Sequence, residues 1–278
     1  MSLQLAQNVP CTRLASECCP PIANAKKLLL RLETLKNNNL IRMKNLLAPI
    51  TLGFTFLMGA TAANAIPLYR GLKTPSETPS QQGWVYQNTP FPTAPTATPT
   101  SNGTILNSGN IQNYAGYFLT APFNLDRTRG YTVSFSVQIN SESHVKDNRA
   151  GFSLIVMSNQ LDGETQPYGL ELGFWEDSIW AQSADFARAE NVAFNTKDTV
   201  HHFVLYVKGN QYKLFERNSY ATPILQGSLR QYTAFTPPPG FPNPYTTPNL
   251  IFMGDDTTSA TANVTITRVY ASPLRPTP

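Results

Sequence analysis

The segment YGLELGFWEDSIWAQS, residues 168–183, combines three carboxylates with two tryptophans. Side chains two residues apart in a strand share a face, so Glu171 and Trp175 are predicted to face the same way. Glu176 and Asp177 fall at a predicted turn before the next strand. Carboxylates beside an aromatic ring suit the binding of a polar ligand, and two carboxylates at the right separation can serve as acid and base.

The elements that position these residues are β-strands. From residue 104 onward, short runs rich in Val, Ile, Thr and aromatic residues alternate with Gly, Asn, Asp or Pro. GFSLIVM and HHFVLYV are apolar on both faces, so we expect central, covered strands. Gly209–Asn210 suits a tight hairpin turn with positive φ at its first residue. YTVSFSVQI has a clean two-residue period, which places one set of side chains in the core: Tyr131, Val133, Phe135, Val137 and Ile139.

About ten such strands without helical periodicity predict an all-β antiparallel sandwich or barrel. Five segments occur in a recognisable order over residues 79–273: PSQQGW, RGYTVSFSVQI, YGLELGFWEDSIWAQ, VHHFVLYVKGNQYKLF and LIFMGDDTTSATANVTITRVYA. This order resembles the concanavalin A-like lectin/glucanase superfamily, and within it the laminin-G-like modules of secreted bacterial proteins. The resemblance implies a jelly roll of two packed antiparallel sheets. It also implies that the chain binds glycans, in some members through calcium, or hydrolyses them.

For glycan binding, Trp175 and Tyr168 would stack on a sugar while Glu171 or Asp177 accepts hydrogen bonds from its hydroxyl groups. Gly173 would leave a shallow floor between these groups. The alternative is that Trp175 and Trp180 pack against each other across the hairpin.

For hydrolysis, glucanases of this fold carry a pattern like Glu-x-Asp-x-x-Glu. Glu171 would be its first acid and Glu176 its last, but Gly173 stands at the middle position. Glu171 and Glu176 also begin on opposite faces of the strand, so a bulge would be needed for the two to converge. The sequence therefore favours a non-catalytic chain.

The segment GDDTTSA, residues 254–260, is the other acidic cluster. The resemblance implies a calcium ion held at the rim by loop carboxylates and carbonyls, and Asp255 and Asp256 are the predicted ligands. The alternative is an ordinary turn in which Asp255 hydrogen-bonds to its own backbone. His201 and His202 are adjacent in a strand, so they point to opposite faces and cannot chelate one ion together.

Residues 43–65 have the three parts of a signal peptide: Lys44, an apolar run over 46–63, and the cleavage site Ala63-Asn64-Ala65. An uncleaved membrane anchor is the alternative. Residues 1–42 are then either an upstream extension or a mis-assigned start. We expect a protein that is secreted or resides in the periplasm or cell envelope, with no membrane span left after cleavage.

The leader also carries most of the excess positive charge. Seven of the 21 Lys and Arg residues, but only two of the 17 Asp and Glu, lie in residues 1–65. The remaining chain has 14 basic and 15 acidic residues, a net charge of −1 in place of +4. A nucleic-acid partner is therefore not expected. All three cysteines are also lost with the leader, so the fold must be stable without disulfides.

The predicted organisation is a leader, a polar tether over 66–78, a concanavalin A-like sandwich over 79–273 and a tail over 274–278. The proline-rich segment 90–100 is interpreted as a long surface loop, because regular prolines exclude a helix and a central strand. The predicted function is non-catalytic glycan binding. A structural or adhesive envelope protein that binds another protein, and a diverged glycoside hydrolase, remain alternatives.

Overall fold

The computed structural model describes residues 65–89, 93–217, 221–232 and 235–274. The predicted upstream extension and nearly all of the predicted signal peptide lie outside these ranges. The strands in them, in chain order, are β1 (Ile66–Arg70), β2 (Val85–Asn88), β3 (Thr96–Thr100), β4 (Gly103–Asn107), β5 (Ala115–Thr120), β6 (Tyr131–His144), β7 (Ser153–Met157), β8 (Gly169–Phe174), β9 (Ser178–Gln182), β10 (Arg188–Ala193), β11 (His201–Lys208), β12 (Gln211–Glu216), β13 (Leu225–Ser228), β14 (Leu250–Asp255) and β15 (Ala260–Pro273). Two short 3-10 turns span Pro79–Gln82 and Pro244–Thr246. No helix within the described ranges is long and apolar enough to cross a membrane.

The strands form two antiparallel sheets. The eight-stranded sheet has the order β13-β12-β11-β6-β15-β4-β3, with β1 also paired to β15. The seven-stranded sheet has the order β10-β9-β8-β7-β14-β5-β2. Apolar side chains from both sheets meet in one main core, so the chain is an all-β sandwich of two antiparallel sheets, as the sequence predicted.

The two-residue period of the sequence determines what each strand buries. The five predicted core residues of β6 all belong to the core between the sheets. The hairpin between β11 and β12 closes at Gly209–Asn210, and Gly209 has a φ of 60°, as its turn requires. The second face of β11 is half-buried, in contrast to the full cover predicted for it.

Two segments predicted to be irregular contain strands. The predicted tether begins with β1, which pairs with the last strand and buries Leu68 and Tyr69. The Tyr69 side chain is fully buried, and its hydroxyl lies 2.8 Å from that of Thr104. The predicted loop over 90–100 ends in β3, which pairs with β4 at the edge of its sheet. Pro99 is tolerated there because an edge strand needs no donor on its outer side.

The outer face of the seven-stranded sheet is covered by a second, smaller apolar cluster. Residues 229–232 and 235–249, termed here the covering segment, cross this face between β13 and β14. Tyr232 and Tyr245 from this segment are buried, and Phe235 and Phe241 are half-buried. The strand residues beneath them are Phe118, Ile155, Met157, Leu250 and Phe252. Because β7 alternates, Leu154 and Val156 enter the main core instead, so this strand is covered on both faces as predicted.

Candidate functional site

A cavity of about 190 Å³ lies under the covering segment, on the outer face of the seven-stranded sheet. Strands β8 and β9 contribute Glu171 and Gln182 to its wall, and Thr236 is exposed at its mouth. The complete lining is Arg149, Glu171, Gln182, Phe186, Phe235, Thr236, Tyr245 and Asp256. This is where the alternation of β8 places the outward-facing carboxylate predicted from the sequence.

Glu171 is the most deeply buried acid of the cavity, with 3% of its surface exposed. Ser153 donates a hydrogen bond of 3.0 Å to its Oε1, and Tyr245 donates one of 2.7 Å to its Oε2. The backbone N–H of Glu171 donates to the Tyr232 hydroxyl at 2.7 Å. Burial, followed by the nearby charge of Asp256, raises the pKa of Glu171 to about 8.

Tyr245 links this acid to a second one. Its hydroxyl oxygen also lies 2.8 Å from Oδ2 of Asp256. Burial raises the pKa of Asp256, and burial together with the two acids raises that of Tyr245. The cavity therefore contains two carboxyl groups that share one tyrosine hydroxyl, and both groups resist ionisation.

Gln182 provides an acceptor that has no donor. Its Nε2 donates to the carbonyl oxygens of Phe186 and Asn148, at 3.1 and 3.4 Å, which fixes the orientation of the amide. The side chain is 1% exposed, and its Oε1 has no hydrogen-bond partner among the described residues. A buried acceptor needs a hydrogen-bond donor, which a ligand group that enters the cavity can supply.

Phe186 has an unusual backbone at the same wall. Its φ is 62°, a left-handed conformation that large side chains rarely adopt. Its carbonyl oxygen accepts from Asn148, Arg149 and Gln182, which holds this conformation in place. Its ring centroid lies 5.1 Å from that of Tyr245, so the strained residue forms an aromatic side of the cavity.

Trp175, which was predicted to stack on a sugar, already has protein partners on its ring. His144 stacks on it with a centroid distance of 3.8 Å and an interplanar angle of 6°. The guanidinium of Arg188 lies 4.3 Å from the ring centroid. Trp180 contacts it edge-on at 6.1 Å, which is the cross-hairpin packing given above as the alternative. Gly173 does not form a shallow floor, because the Trp180 ring fills the space where a Cβ would lie.

The other two predicted binding residues are away from the cavity. Tyr168 packs against the main core, and Arg127 lies 4.6 Å from its ring centroid. Asp177 is exposed at the turn between β8 and β9. Of the four predicted ligand-binding residues, the structure thus places only Glu171 in the cavity.

Asp255 and Asp256, the predicted metal ligands, face different surroundings. Asp255 is 1% exposed, and its Oδ1 accepts from the backbone N–H of Thr257 at 3.1 Å. This is the local turn given as the alternative, but it is buried rather than solvated. Asp256 instead turns to Tyr245 in the cavity. Within the described ranges, no three acidic, histidine or cysteine side chains are grouped to hold a metal ion.

Glu176 does not pair with Glu171. Its Oε2 bonds to Nζ of Lys197 at 2.6 Å, and its Oε1 accepts from the backbone N–H of Glu142 at 3.1 Å. The bond to Lys197 lowers the pKa of Glu176. The Glu171–Glu176 acid pair considered from the sequence is therefore not formed.

Most residues of the cavity were not predicted from the sequence. Tyr245, Phe235 and Thr236 belong to the covering segment, and Phe186 and Arg149 belong to loops. One feature of the sequence could have indicated these residues, namely the long stretch of aromatic residues and prolines between β13 and β14. Loops of this length in a compact domain are uncommon and often functional.

Neither a protein-family profile nor a curated protein matches this sequence. A carbohydrate esterase from the Shiga toxin-encoding bacteriophage phi24B is similar in structure, with 12% identity, a TM-score of 0.50 and coverage of 75% of this chain and 98% of its own. At this identity, the similarity shows a shared fold alone.

Two other solved structures align less closely. The exoplasmic/lumenal domain of VIP36, in its Ca²⁺/Man-bound form, has 8% identity, a TM-score of 0.43 and coverage of 79% of this chain and 93% of its own. A galectin-like protein of unknown function from Bacillus subtilis has 9% identity, a TM-score of 0.47 and coverage of 75% and 96%. The laminin-G-like subgroup stays a prediction.

Proposed function

We propose that this chain is an exported, non-catalytic glycan-binding protein and that its binding site is the cavity under the covering segment. The observation that carries the proposal is the unpartnered Oε1 of Gln182 in the wall of that cavity. A sugar carries hydroxyl donors around its rim and one apolar face. The hydroxyl donors match Gln182 and the two acids, and the apolar face matches the rings of Phe186 and Phe235.

The size of the cavity limits what it can hold. Its volume of about 190 Å³ is below the range of roughly 300–1,000 Å³ that is common for drug-sized ligands. It therefore suits a single sugar ring, such as the end or a branch of a longer glycan. The exposed Thr236 would lie beside the next residue of that glycan at the mouth.

Calcium is not part of this proposal, although it was predicted. Calcium takes six to eight oxygen ligands. Asp255 and Asp256 do not fit that requirement as a pair, because Asp256 is hydrogen-bonded to Tyr245 and Asp255 is buried with its own backbone contact. We expect glycan binding to persist in EDTA.

A second candidate function, glycoside hydrolysis, rests on the proximity of two carboxyl groups. Oε2 of Glu171 and Oδ2 of Asp256 lie 2.7 and 2.8 Å from the same hydroxyl oxygen, so the two are at most about 5.5 Å apart. Retaining glycosidases hold their two carboxyl groups about 5–5.5 Å apart. Against this function, the Tyr245 hydroxyl occupies the space between the two acids.

The test is calorimetric titration of the full chain with a panel of oligosaccharides, with product analysis of each mixture. Glycan binding that is lost in Gln182→Met and retained in Asp177→Asn and Trp175→Ala supports the proposed site. Release of reducing ends that stops in Glu171→Gln favours the hydrolase. If no oligosaccharide binds and the protein still unfolds cooperatively, the structural or adhesive function is the remaining alternative.

A further inference from the structure

The hydroxyl group of Tyr245 contacts two carboxyl groups but has only one hydrogen to donate. Its oxygen lies within hydrogen-bonding distance of both Glu171 and Asp256, yet it can donate to only one of them. The other contact is a hydrogen bond only if that carboxyl group is protonated and donates to the tyrosine oxygen. Counting hydrogens therefore requires one extra proton on the Glu171–Asp256 pair.

The charged groups around the pair set the charge of the cavity. Arg149, from the loop before β7, is the cation of the lining, and two of its hydrogen bonds go to the carbonyls of Asn148 and Phe186. Asp255, behind Asp256, is an acid whose pKa is raised by burial. With the shared proton, the two acids and Arg149 sum to zero charge, and without the proton they sum to −1.

The cavity also has more acceptors than donors. The carboxyl oxygens and the unpartnered Oε1 of Gln182 accept hydrogen bonds. The lining donors are the Arg149 guanidinium, which already bonds to backbone carbonyls, and the exposed Thr236 hydroxyl. The Tyr232 hydroxyl donates to the backbone carbonyl of Gln182 and the Tyr245 hydroxyl donates to Glu171, so neither offers a further donor. A ligand that enters this cavity should bring several donors and, ideally, a positive charge in place of the proton.

We propose that the ligand group of the cavity is a protonated amine on a sugar ring, whose ammonium replaces the proton shared by Glu171 and Asp256. This rests on the proposed glycan-binding function and names its sugar class as amino sugars with a free amine. No covalent bond changes: the ammonium donates to the two carboxylates and Gln182, and one proton leaves the pair for the solvent. Neutral sugars bind without that exchange.

Three matched ligands test the proposal, namely glucosamine, glucose and N-acetylglucosamine, titrated calorimetrically into the full chain. Near pH 6, about two units below the pKa of Glu171, the pair holds its proton. We expect glucosamine to bind about tenfold more tightly than glucose, because charge-assisted hydrogen bonds are stronger than neutral ones. Repeating the titration in buffers of different ionisation enthalpy should show about one proton released for glucosamine and none for the neutral sugars.

Variants assign the effect to the pair. Glu171→Gln and Asp256→Asn each remove a carboxylate, so both should abolish the preference for glucosamine over glucose and the proton release. Because both acids also belong to the proposed sugar site, the readout is the ratio of the two affinities and not the affinity for neutral sugars. Asp177→Asn, which changes an exposed acid outside the cavity, should leave the glucosamine preference and the proton release unchanged. A cooperative melt of each variant shows that it is folded.

Three results overturn the proposal, and they are distinguishable. If the neutral sugars bind as tightly as glucosamine and no proton is released, the amino-sugar assignment is wrong while glycan binding stands. If none of the three sugars nor the wider oligosaccharide panel binds, the glycan-binding function fails and the assignment fails with it. A glucosamine preference that persists in Glu171→Gln places the amine elsewhere and also overturns the proposal.

Discussion

The polar residues on the outer faces of the two sheets differ in how far their hydrogen-bonding groups have partners. On the eight-stranded sheet, Ser136, His202 and Arg268 hydrogen-bond to one another. The Ser136 Oγ lies 2.5 Å from His202 Nδ1, and the Arg268 guanidinium contacts both atoms. On the seven-stranded sheet, Glu171 and Gln182 are sealed under the covering segment with fewer donors than they can use.

The difference teaches that cover, and not residue type, determines whether the polar residues of a sheet face line a cavity. Both faces follow from the same alternation along their strands. Burial lowers the pKa of His202 and raises that of Glu171, so each group tends toward its neutral form. Among the described residues, the covered face also encloses a cavity, and the Gln182 Oε1 in its wall has no protein donor.

The largest expected contrast is in apolar packing. Phe252 is 2% exposed beneath the covering segment, and its ring lies 4.9 Å from that of Phe118. We expect Phe252→Ala to lower the free energy of unfolding by about 3–5 kcal/mol. Tyr206→Ala, on the half-buried outer face of β11, should cost about 1 kcal/mol or less. Urea unfolding of both variants measures this, and equal losses would show that the covering segment contributes no packed cluster.

The next effect is the pH dependence that Glu171 imposes on folding. Its pKa rises from an ordinary value of 4.5 to about 8 in the folded chain. A raised acid pKa means that the folded state holds a proton the unfolded state has lost, so its stabilising contribution is complete below 4.5 and declines up to about 8. The slope for one proton is about 1.4 kcal/mol per pH unit.

Glu171→Gln should remove that slope, since glutamine does not titrate. We expect the variant to match the parent near pH 5 and to exceed it in stability near pH 8, by an amount on the order of a few kcal/mol. Urea unfolding across this range is the measurement. Parallel pH profiles for the two proteins would show that Glu171 is ionised in the fold.

A smaller effect is expected at the shared hydroxyl. Tyr245→Phe keeps the ring but leaves Glu171 and Asp256 without the bridge between them, which should cost about 1–3 kcal/mol at pH 5. Tyr206→Phe on the open face is the matched control and should stay within about 0.5 kcal/mol of the parent. An equally small loss at Tyr245 would contradict the bridging role.

The sequence predicted the elements whose residues alternate over many positions. The five inward residues of β6 and the outward direction of Glu171 both follow from a period of two. The strand β1 was missed because IPLYR is short and contains a proline, and its pairing partner is the last strand of the chain. Such pairing depends on contacts between distant residues, which no local pattern contains.

The candidate site was predicted only as far as one acid on a strand. Gln182 lies at the end of a strand predicted as SIWAQS, but nothing local shows that its Oε1 lacks a donor. Tyr245 reaches the cavity from the short 3-10 turn Pro244–Thr246 and Phe186 reaches it from a loop, and both pack on the cluster that contains Ile155 and Phe252. The contacts of Trp175 could not be predicted for the same reason, because its partners His144 and Arg188 come from other strands.

The smallest expected effect is at His202, and it has the opposite sign to that of Glu171. Burial first, and then the charge of Arg268, lowers the pKa of His202 below its ordinary value of 6.5. A lowered histidine pKa means that the folded state disfavours the protonated form. Its stabilising contribution is therefore complete above 6.5 and is lost as the pH falls through the folded value. Relative to His202→Gln, the parent should lose stability on acidification below 6.5, and urea unfolding of both proteins across this range measures the difference. Because Glu171 gains stability over the same acidic interval, the double variant with Glu171→Gln should have a flatter profile than either single variant. If His202→Gln follows the parent below 6.5, the open face makes no proton-linked contribution, and the contrast between the two faces rests on the covered acids alone.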